Sequence, residues 1–191
     1  MRELQRPMII LKIKIMKNIE LKIKMGNFKE VIFLLHKIKA SDNGEIIQCD
    51  TYYNHPDGRL KIREINNRDA EVIFYQRPDI EKSKISKYEI TPIIFSQLDS
   101  FKNDLKSKYG EGVIVFKKRQ LWIYKNTRIH LDSVDCLGNF LELETIVGDG
   151  KIREAMKEHE DIIDLLKLSE YEKIDTSYSN LLMNIRRYSL A

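Results

Sequence analysis

The stretch Ile-Glu-Leu-Lys-Ile-Lys-Met at residues 19–25 alternates apolar and charged side chains without interruption. Successive side chains of a β-strand lie on opposite faces, so this stretch predicts a strand with one apolar face and one charged face. The rest of the sequence indicates what this charged face is for.

Similar alternation recurs along the chain. The clear cases are Arg59–Ile65 and residues 72–77, 113–124, 128–134 and 140–147, and the weaker cases are residues 46–54 and 86–90. Turn-forming residues at 54–58 and 137–139 lie between neighbouring strands at hairpin distance. We therefore expect about eight strands with antiparallel connections.

Helical patterns separate the strands. The first predicted helix follows Asn27 as its N-cap and carries an apolar stripe of Phe28, Val31, Leu34, Leu35 and Ile38. The second is predicted to begin with Thr91 as N-cap and Pro92 at the first helical position, and to end near Gly110.

A third helix is predicted over residues 150–168, followed by a shorter helical turn around residues 181–185. The inward residues expected of the third helix are Ile152, Met156, Ile162, Ile163 and Leu166.

The composition fits a single domain. The chain has 191 residues, 42% of them hydrophobic, which suffices for one core. We expect residues 17–191 to form that domain and residues 1–16, which are basic and apolar, to be an N-terminal extension. With 33 basic and 29 acidic residues, the net charge of +4 is too small to indicate a nucleic-acid partner.

The sequence also predicts a cytoplasmic protein without a membrane partner. Cys49 and Cys136 are far apart and belong to no metal-binding pair, which is typical of a reducing compartment. The longest apolar runs, residues 8–11 and 31–35, are much shorter than the ~18 residues of a membrane span. The N-terminal stretch lacks the cleavage site of a signal peptide.

The charges segregate by strand. One face carries Arg59, Lys61 and Arg63, another carries Lys117 and Arg119, and a third carries Glu142 and Glu144. Like charges on facing strands are destabilising, so the basic faces favour a bound anion. The alternative is that these are solvated sheet faces, because alternation alone does not say which face is inside.

The residue types favour a phosphate and a hard metal ion. Guanidinium groups grip phosphate oxygens at two points, and the candidates are Arg63, Arg77, Arg119 and Arg128. Carboxylates suit Mg²⁺ or Mn²⁺, and the candidates are Glu20, Asp132, Glu142 and Glu144. We interpret His130 as an ordinary polar contact, and most strand aromatics, Tyr52, Tyr53, Tyr75, Trp122 and Tyr124, as core residues.

Six motifs together resemble the CYTH family of triphosphate tunnel metalloenzymes. In order they read ELKIK, GRLKIRE, YQRPD, VFKKRQLW, RIHLD and LGNFLELE, and a later SYSNLL is similar to the end of the class IV adenylyl cyclase-like branch. The resemblance implies an α+β fold: an eight-stranded antiparallel β-barrel, the triphosphate tunnel, with helices packed outside and charged residues in the lumen.

The resemblance also assigns roles by motif position. It implies Glu20, Glu142 and Glu144 as catalytic residues, and the same three with Asp132 as ligands of Mg²⁺ or Mn²⁺. Asp132 has the alternative role of orienting a basic residue. The implied triphosphate-binding residues are Lys22, Lys24, Lys61, Arg63, Arg77, Lys117, Arg119 and Arg128.

One departure from the family pattern leaves the reaction open. Lys22 stands where the amino-terminal E-x-E-x-K motif has its second carboxylate. The leading hypothesis is a class IV adenylyl cyclase-like enzyme that converts ATP to cyclic AMP and pyrophosphate. The alternatives are a thiamine or inorganic triphosphatase, and a non-catalytic protein that binds a triphosphate or nucleotide. Both a monomer and a homodimer are compatible with the sequence.

Overall fold

The computed structural model describes residues 14–76 and 84–188. Its strands are β1 (Lys14–Met25), β2 (Ser41–Tyr53), β3 (Arg59–Ile65), β4 (Asp69–Gln76), β5 (Lys84–Ile93), β6 (Glu111–Tyr124), β7 (Thr127–Val134) and β8 (Gly138–Ile146). Its α-helices are α1 (Lys29–Lys37), α2 (Leu98–Tyr109), α3 (Ile152–Leu165) and α4 (Tyr178–Tyr188). None of these helices has the length and apolar character needed to cross a membrane.

The strands close into one antiparallel barrel. The order around the barrel is β1-β5-β4-β3-β2-β6-β7-β8, and β8 returns to pair with β1. The predicted fold class, an eight-stranded antiparallel barrel with helices outside, is therefore confirmed. Of the predicted extension, residues 14–16 belong to β1, and residues 1–13 lie outside the described residues.

The apolar strand faces point outward and are covered by helices. Leu21 and Ile23 of β1 pack beneath α1 and α3 in the largest apolar cluster. The outer faces of β3, β4 and β5 pack against α2 in another. Because the apolar faces are used on the outside, the charged faces of the same strands are left to line the lumen.

The second predicted helix begins later than expected. Thr91 and Pro92 belong to β5, where Pro92 pairs with Glu71 of β4, and α2 begins at Leu98. Within the described residues, the pairing of β5 with β1 runs to Ile90, opposite Lys14, and Pro92 is paired on its β4 side. The predicted end near Gly110 is confirmed, since Gly110 caps α2 with φ 72°.

The buried stripe of α3 also differs from the prediction. Ile152 and Met156 are 41% and 47% exposed, whereas Ala155, His159 and Ile162 are buried. His159 is tolerated in this stripe because its Nδ1 lies 2.8 Å from the Thr145 hydroxyl of β8. Hydrophobicity alone therefore selected the wrong side of the first turns of this helix.

Candidate functional site

The lumen contains a cavity of about 250 Å³ lined by the inward side chains of the strands. Nine of the predicted site residues line it: Glu20, Lys22, Lys61, Arg63, Lys117, Arg119, Arg128, Glu142 and Glu144. Lys24 is exposed and does not line this cavity, Asp132 is buried in the wall behind it, and Arg77 lies outside the described residues.

Strand register brings Lys22, Glu142 and His130 into one row across β1, β8 and β7. Glu142 of β8 is directly opposite Lys22 on one side and His130 on the other. Lys22 Nζ lies 3.1 Å from Glu142 Oε1 and also donates to the carbonyl oxygen of Thr176 at 3.1 Å. The lysine that replaces a family carboxylate is thus a fixed cation beside Glu142.

The adjacent row contains Glu20, Glu144 and Arg128. Glu144 is opposite Glu20 of β1 and Arg128 of β7. Arg128 donates to Glu144 Oε2 through Nη2 at 2.6 Å, and the Tyr88 hydroxyl donates to Glu20. Three predicted catalytic carboxylates, Glu20, Glu142 and Glu144, therefore share one wall of the cavity.

His130 completes a cluster that can hold a metal ion. One donor atom from each of His130, Glu142 and Glu144 lies within 4.8 Å of the others. Burial and the nearby Arg119 lower the pKa of His130 to about 4, so its imidazole is neutral. Burial opposes ionisation of Glu142, but Lys22 and Arg119 hold its pKa well below the usual range. The cluster offers one nitrogen ligand and two ionised carboxylates.

The opposite wall is basic and is organised around Asp50. Arg63 donates to the two Asp50 oxygens at 2.7 and 2.8 Å, Lys61 Nζ donates at 2.7 Å, and Lys117 Nζ lies 3.6 Å away. Burial alone would raise the pKa of Asp50, yet these cations, Arg63 foremost, keep it well below its usual range. One carboxylate thus holds three cations toward the cavity.

Burial also acts on one of these cations. Burial, followed by repulsion from Arg119, lowers the pKa of Lys117 to about 7. Burial and the neighbouring guanidinium therefore disfavour the protonated form of this lysine when no anion is bound.

Asp132 positions Arg119. Arg119 donates to both Asp132 oxygens at 2.6 Å, and its Nη2 also donates to Glu142 at 2.7 Å. The Tyr178 hydroxyl donates to Asp132 Oδ2 at 3.0 Å. This arrangement favours the orienting role that was one of the two predicted for Asp132.

One end of the barrel is closed by α4. Tyr178 packs against Phe140 with ring centroids 5.0 Å apart, and Leu182 joins the same apolar cluster. Ser177 and Tyr178 line the cavity at this end.

Sequence reasoning missed several residues of the cavity. Asp50 belongs to a weakly predicted strand, but the alternation of Gln48, Asp50 and Tyr52 on one face was a usable signal. Tyr52 and Tyr75 were assigned to the core; both are buried and also line the cavity, and Tyr52 belongs to an apolar cluster as well. Tyr53 and Trp122 belong to apolar clusters as predicted.

The sequence model of the CYTH domain matches residues 16–178. The chain belongs to the CYTH family. This membership agrees with the barrel, with the charged lumen and with the order of the motifs in the chain.

Similarities to individual proteins agree with membership of the CYTH family. A candidate adenylate cyclase of Methanocaldococcus jannaschii is 26% identical over 162 residues, which is 81% of this chain and 90% of that protein. A protein of Pyrococcus horikoshii has a TM-score of 0.73 at 22% identity, with 86% of this chain and 98% of that one covered. A candidate adenylyl cyclase of Hippeastrum with a dominant triphosphatase activity has a TM-score of 0.65 at 13% identity, with 88% and 95% covered. The last two similarities concern the fold alone.

Proposed function

We propose that this CYTH protein is a divalent-metal-dependent enzyme that acts on a triphosphate held in the barrel. The observation that carries the proposal is the division of one cavity into a basic wall and a carboxylate wall. The basic wall has Arg63, Lys61 and Lys117 around Asp50, and the opposite wall has Glu142 and Glu144. A chain of phosphates beside a cation is the ligand class that matches both walls.

The basic residues of this chain bind and orient the phosphates. Guanidinium groups of Arg63 and Arg119 are already fixed by Asp50 and Asp132, so little side-chain freedom is lost when phosphate oxygens arrive. Tyr178 lines this end of the cavity and packs against Phe140, so it limits how far the phosphates enter. Positioning and charge stabilisation are the main contributions expected for phosphoryl transfer.

The carboxylate wall fits a divalent ion. The fit rests on the donor chemistry, since Glu142 and Glu144 are ionised oxygen ligands close to the buried His130. We propose that Glu142 and Glu144 hold Mg²⁺ or Mn²⁺, with Glu20 beside Glu144 as a further carboxylate. When bound, the ion supplies charge neutralisation at the phosphate oxygens.

For the reaction, the leading proposal is ATP cyclisation. The ribose 3′ oxygen bonds to the α-phosphorus while the bond to pyrophosphate breaks, giving cyclic AMP. The motif resemblance to the class IV adenylyl cyclase-like branch supports this reaction, as does the name of the Methanocaldococcus jannaschii relative.

The second candidate is hydrolysis of a small triphosphate. The cavity of about 250 Å³ lies below the ~300–1,000 Å³ that is typical of sites for drug-sized ligands. This size favours a substrate that is mostly triphosphate, such as inorganic triphosphate. Water bonds to the terminal phosphorus while its bond to the remaining diphosphate breaks, and phosphate is released; thiamine triphosphate would react in the same way. The Hippeastrum protein indicates that the fold accommodates a triphosphatase activity.

Product analysis separates these reactions. Purified protein is incubated with Mg²⁺ or Mn²⁺ and, separately, with ATP, thiamine triphosphate and inorganic triphosphate, and the products are resolved by chromatography. Cyclic AMP with pyrophosphate supports the cyclase, and phosphate release supports the triphosphatase. Binding of triphosphate without any product contradicts the enzyme proposal and indicates a binding protein.

A matched pair of variants makes the test specific to the tunnel. Glu142→Gln removes a carboxylate beside Lys22 and Arg119 and should abolish turnover while triphosphate binding persists. Glu45→Gln removes an exposed carboxylate paired with Lys118 outside the cavity and should leave turnover unchanged.

A further inference from the structure

His130 has a buried nitrogen whose hydrogen-bonding capacity is not used. The residue is 4% exposed and lines the cavity. Its Nδ1 finds no hydrogen-bond partner within residues 14–76 and 84–188. Buried polar atoms are nearly always satisfied, so an orphaned nitrogen facing a charged cavity indicates a ligand that the polypeptide does not supply.

The groups around Nδ1 of His130 are placed so that a metal ion could bind this nitrogen. The distance from Nδ1 to Glu144 Oε1 is 3.7 Å, which is too long for a hydrogen bond. Metal bonds to imidazole nitrogen and carboxylate oxygen are each ~2.0–2.2 Å, so one ion fits between atoms at this separation. The nearby guanidinium of Arg119 is directed at Asp132 and Glu142.

We propose that His130 is a direct ligand of the tunnel metal and that, with Glu142 and Glu144, it forms a mixed nitrogen and oxygen site selective for a transition-metal ion such as Mn²⁺ over Mg²⁺. The inference rests on the proposed function because it concerns the ion of the same cavity. It goes beyond that function by adding a ligand of another chemical class.

Ligand chemistry gives the selectivity. Mg²⁺ prefers oxygen donors, whereas imidazole suits first-row transition metals and binds them with increasing strength from Mn²⁺ to Co²⁺ and beyond. A site with one imidazole and two carboxylates should therefore bind Co²⁺ more tightly than Mn²⁺ and both more tightly than Mg²⁺. An all-carboxylate site would discriminate much less against Mg²⁺.

Lys22 indicates that the site takes one ion. Its ammonium lies 3.1 Å from Glu142 and is held in place by the Thr176 carbonyl and by the Tyr178 ring, 4.1 Å from Nζ. A second divalent ion on that side of Glu142 would lie close to the Lys22 ammonium and be repelled by it. We therefore expect one bound ion for each chain.

The test uses Mn²⁺ alone, without any triphosphate. Mn²⁺ is titrated into the full chain, free Mn²⁺ is followed by electron paramagnetic resonance, and the bound ion is examined by electron spin echo spectroscopy for coupling to ¹⁴N. One Mn²⁺ per chain with imidazole ¹⁴N coupling is expected. A wild-type protein that binds Mn²⁺ without ¹⁴N coupling overturns the proposal, and so does a protein that binds no Mn²⁺; neither result depends on a variant that has to fold.

Two histidine variants then test whether the coupled ¹⁴N belongs to His130. His130→Gln should abolish the ¹⁴N coupling and weaken Mn²⁺ about 10- to 100-fold, the range seen when even an outer partner of a metal ligand is lost. Mg²⁺ affinity should change much less. His36→Gln, which alters an exposed histidine, should retain both the coupling and the affinity. Equal loss of Mn²⁺ and Mg²⁺ affinity in His130→Gln, or coupling that survives it, would contradict the assignment.

The result is independent of turnover. ¹⁴N coupling in a protein that converts none of the triphosphates would support the ligand and contradict the proposed enzyme. Turnover with Mg²⁺ and no ¹⁴N coupling would support the enzyme and contradict the ligand.

Discussion

Arg119 and Asp132 form a two-point ion pair inside the barrel, with Nε and Nη2 each 2.6 Å from a different carboxylate oxygen. Both side chains are nearly inaccessible, at 5% and 0% exposure. Register places the residues directly opposite each other on β6 and β7. The pair fixes a guanidinium that also contacts Glu142, so Arg119 links the carboxylate wall to the proposed phosphate-binding groups.

We expect Arg119→Lys to reduce kcat about 100-fold, the lower range for loss of one donor that stabilises developing charge. Lysine cannot make the two-point contact with Asp132 and lacks the fixed plane of the guanidinium. Steady-state kinetics on the substrate identified by product analysis provide the measurement. Lys118→Arg, at the adjacent exposed position, is the control and should retain wild-type kcat; similar rates in both variants would exclude a role for the Arg119 geometry.

Asp50→Asn should destabilise the protein by about 3–5 kcal/mol, as for removal of one partner from a buried ion pair. The substitution leaves Lys61, Arg63 and Lys117 close together without their shared carboxylate. Inorganic triphosphate should restore more stability to this variant than to the wild type, because it replaces the missing negative charge. Urea unfolding with and without triphosphate measures both effects.

Asp69→Asn is the matched control for Asp50. Asp69 pairs with Arg68 on the surface, where the two side chains are 64% and 79% exposed. Exposed pairs contribute about 0–1 kcal/mol, so this variant should remain close to the wild type. If Asp50→Asn lowers the free energy of unfolding no more than Asp69→Asn does, Asp50 does not organise the basic wall.

Triphosphate binding should take up a proton near pH 8. The pKa of Lys117 in the empty protein is lowered to about 7, and an adjacent polyanion should raise it. Calorimetric titrations of metal-free protein in buffers of different ionisation enthalpy measure this uptake. Lys117→Arg stays charged and should bind with less proton uptake, and uptake equal to that of the wild type would contradict the assignment to Lys117.

The same lysine predicts how stability depends on pH. Its folded pKa of about 7 is below the value of about 10.4 in an unfolded chain, so between these values the unfolded state binds more protons. The free energy of unfolding should therefore rise as the pH rises through this window, by at most ~1.4 kcal/mol per pH unit from this group. Urea unfolding of the wild type and Lys117→Met at pH 7 and pH 9 checks the sign, and the variant should show the smaller rise.

Leu182→Ala should destabilise the closed end of the barrel by about 2–5 kcal/mol, because Leu182 is a buried member of the cluster that joins α4 to the inner strand faces. Met183→Ala, one position along the same helix, removes a side chain that is 38% exposed. This variant should lose less stability than Leu182→Ala. Thermal unfolding of both variants measures the difference. Equal losses of stability would contradict a packing role of Leu182 in the apolar cluster between α4 and the strands.

The strands were predictable because their signal is local. Alternation along residues 19–25 and Arg59–Ile65 is a property of neighbouring residues, and both stretches are strands in the structure. The order of the motifs predicted the barrel, and nine of the site residues predicted from these motifs line its cavity. Thr91 and Pro92 were misassigned because threonine followed by proline is also compatible with the last residues of a strand, where both residues pair with β4.

Sequence by itself determined that this chain has strands with an apolar face and a charged face, and that the basic faces with Lys61 and Arg63 and with Lys117 and Arg119 belong to other strands than the acidic face with Glu142 and Glu144. Tertiary structure decided which face is inside and which charges meet. Alternation has a period of two residues and carries no information about partners, whereas barrel closure and register bring Lys22 and His130 to opposite sides of Glu142. Only that juxtaposition places a buried histidine and a lysine that departs from the family motif next to the same glutamate.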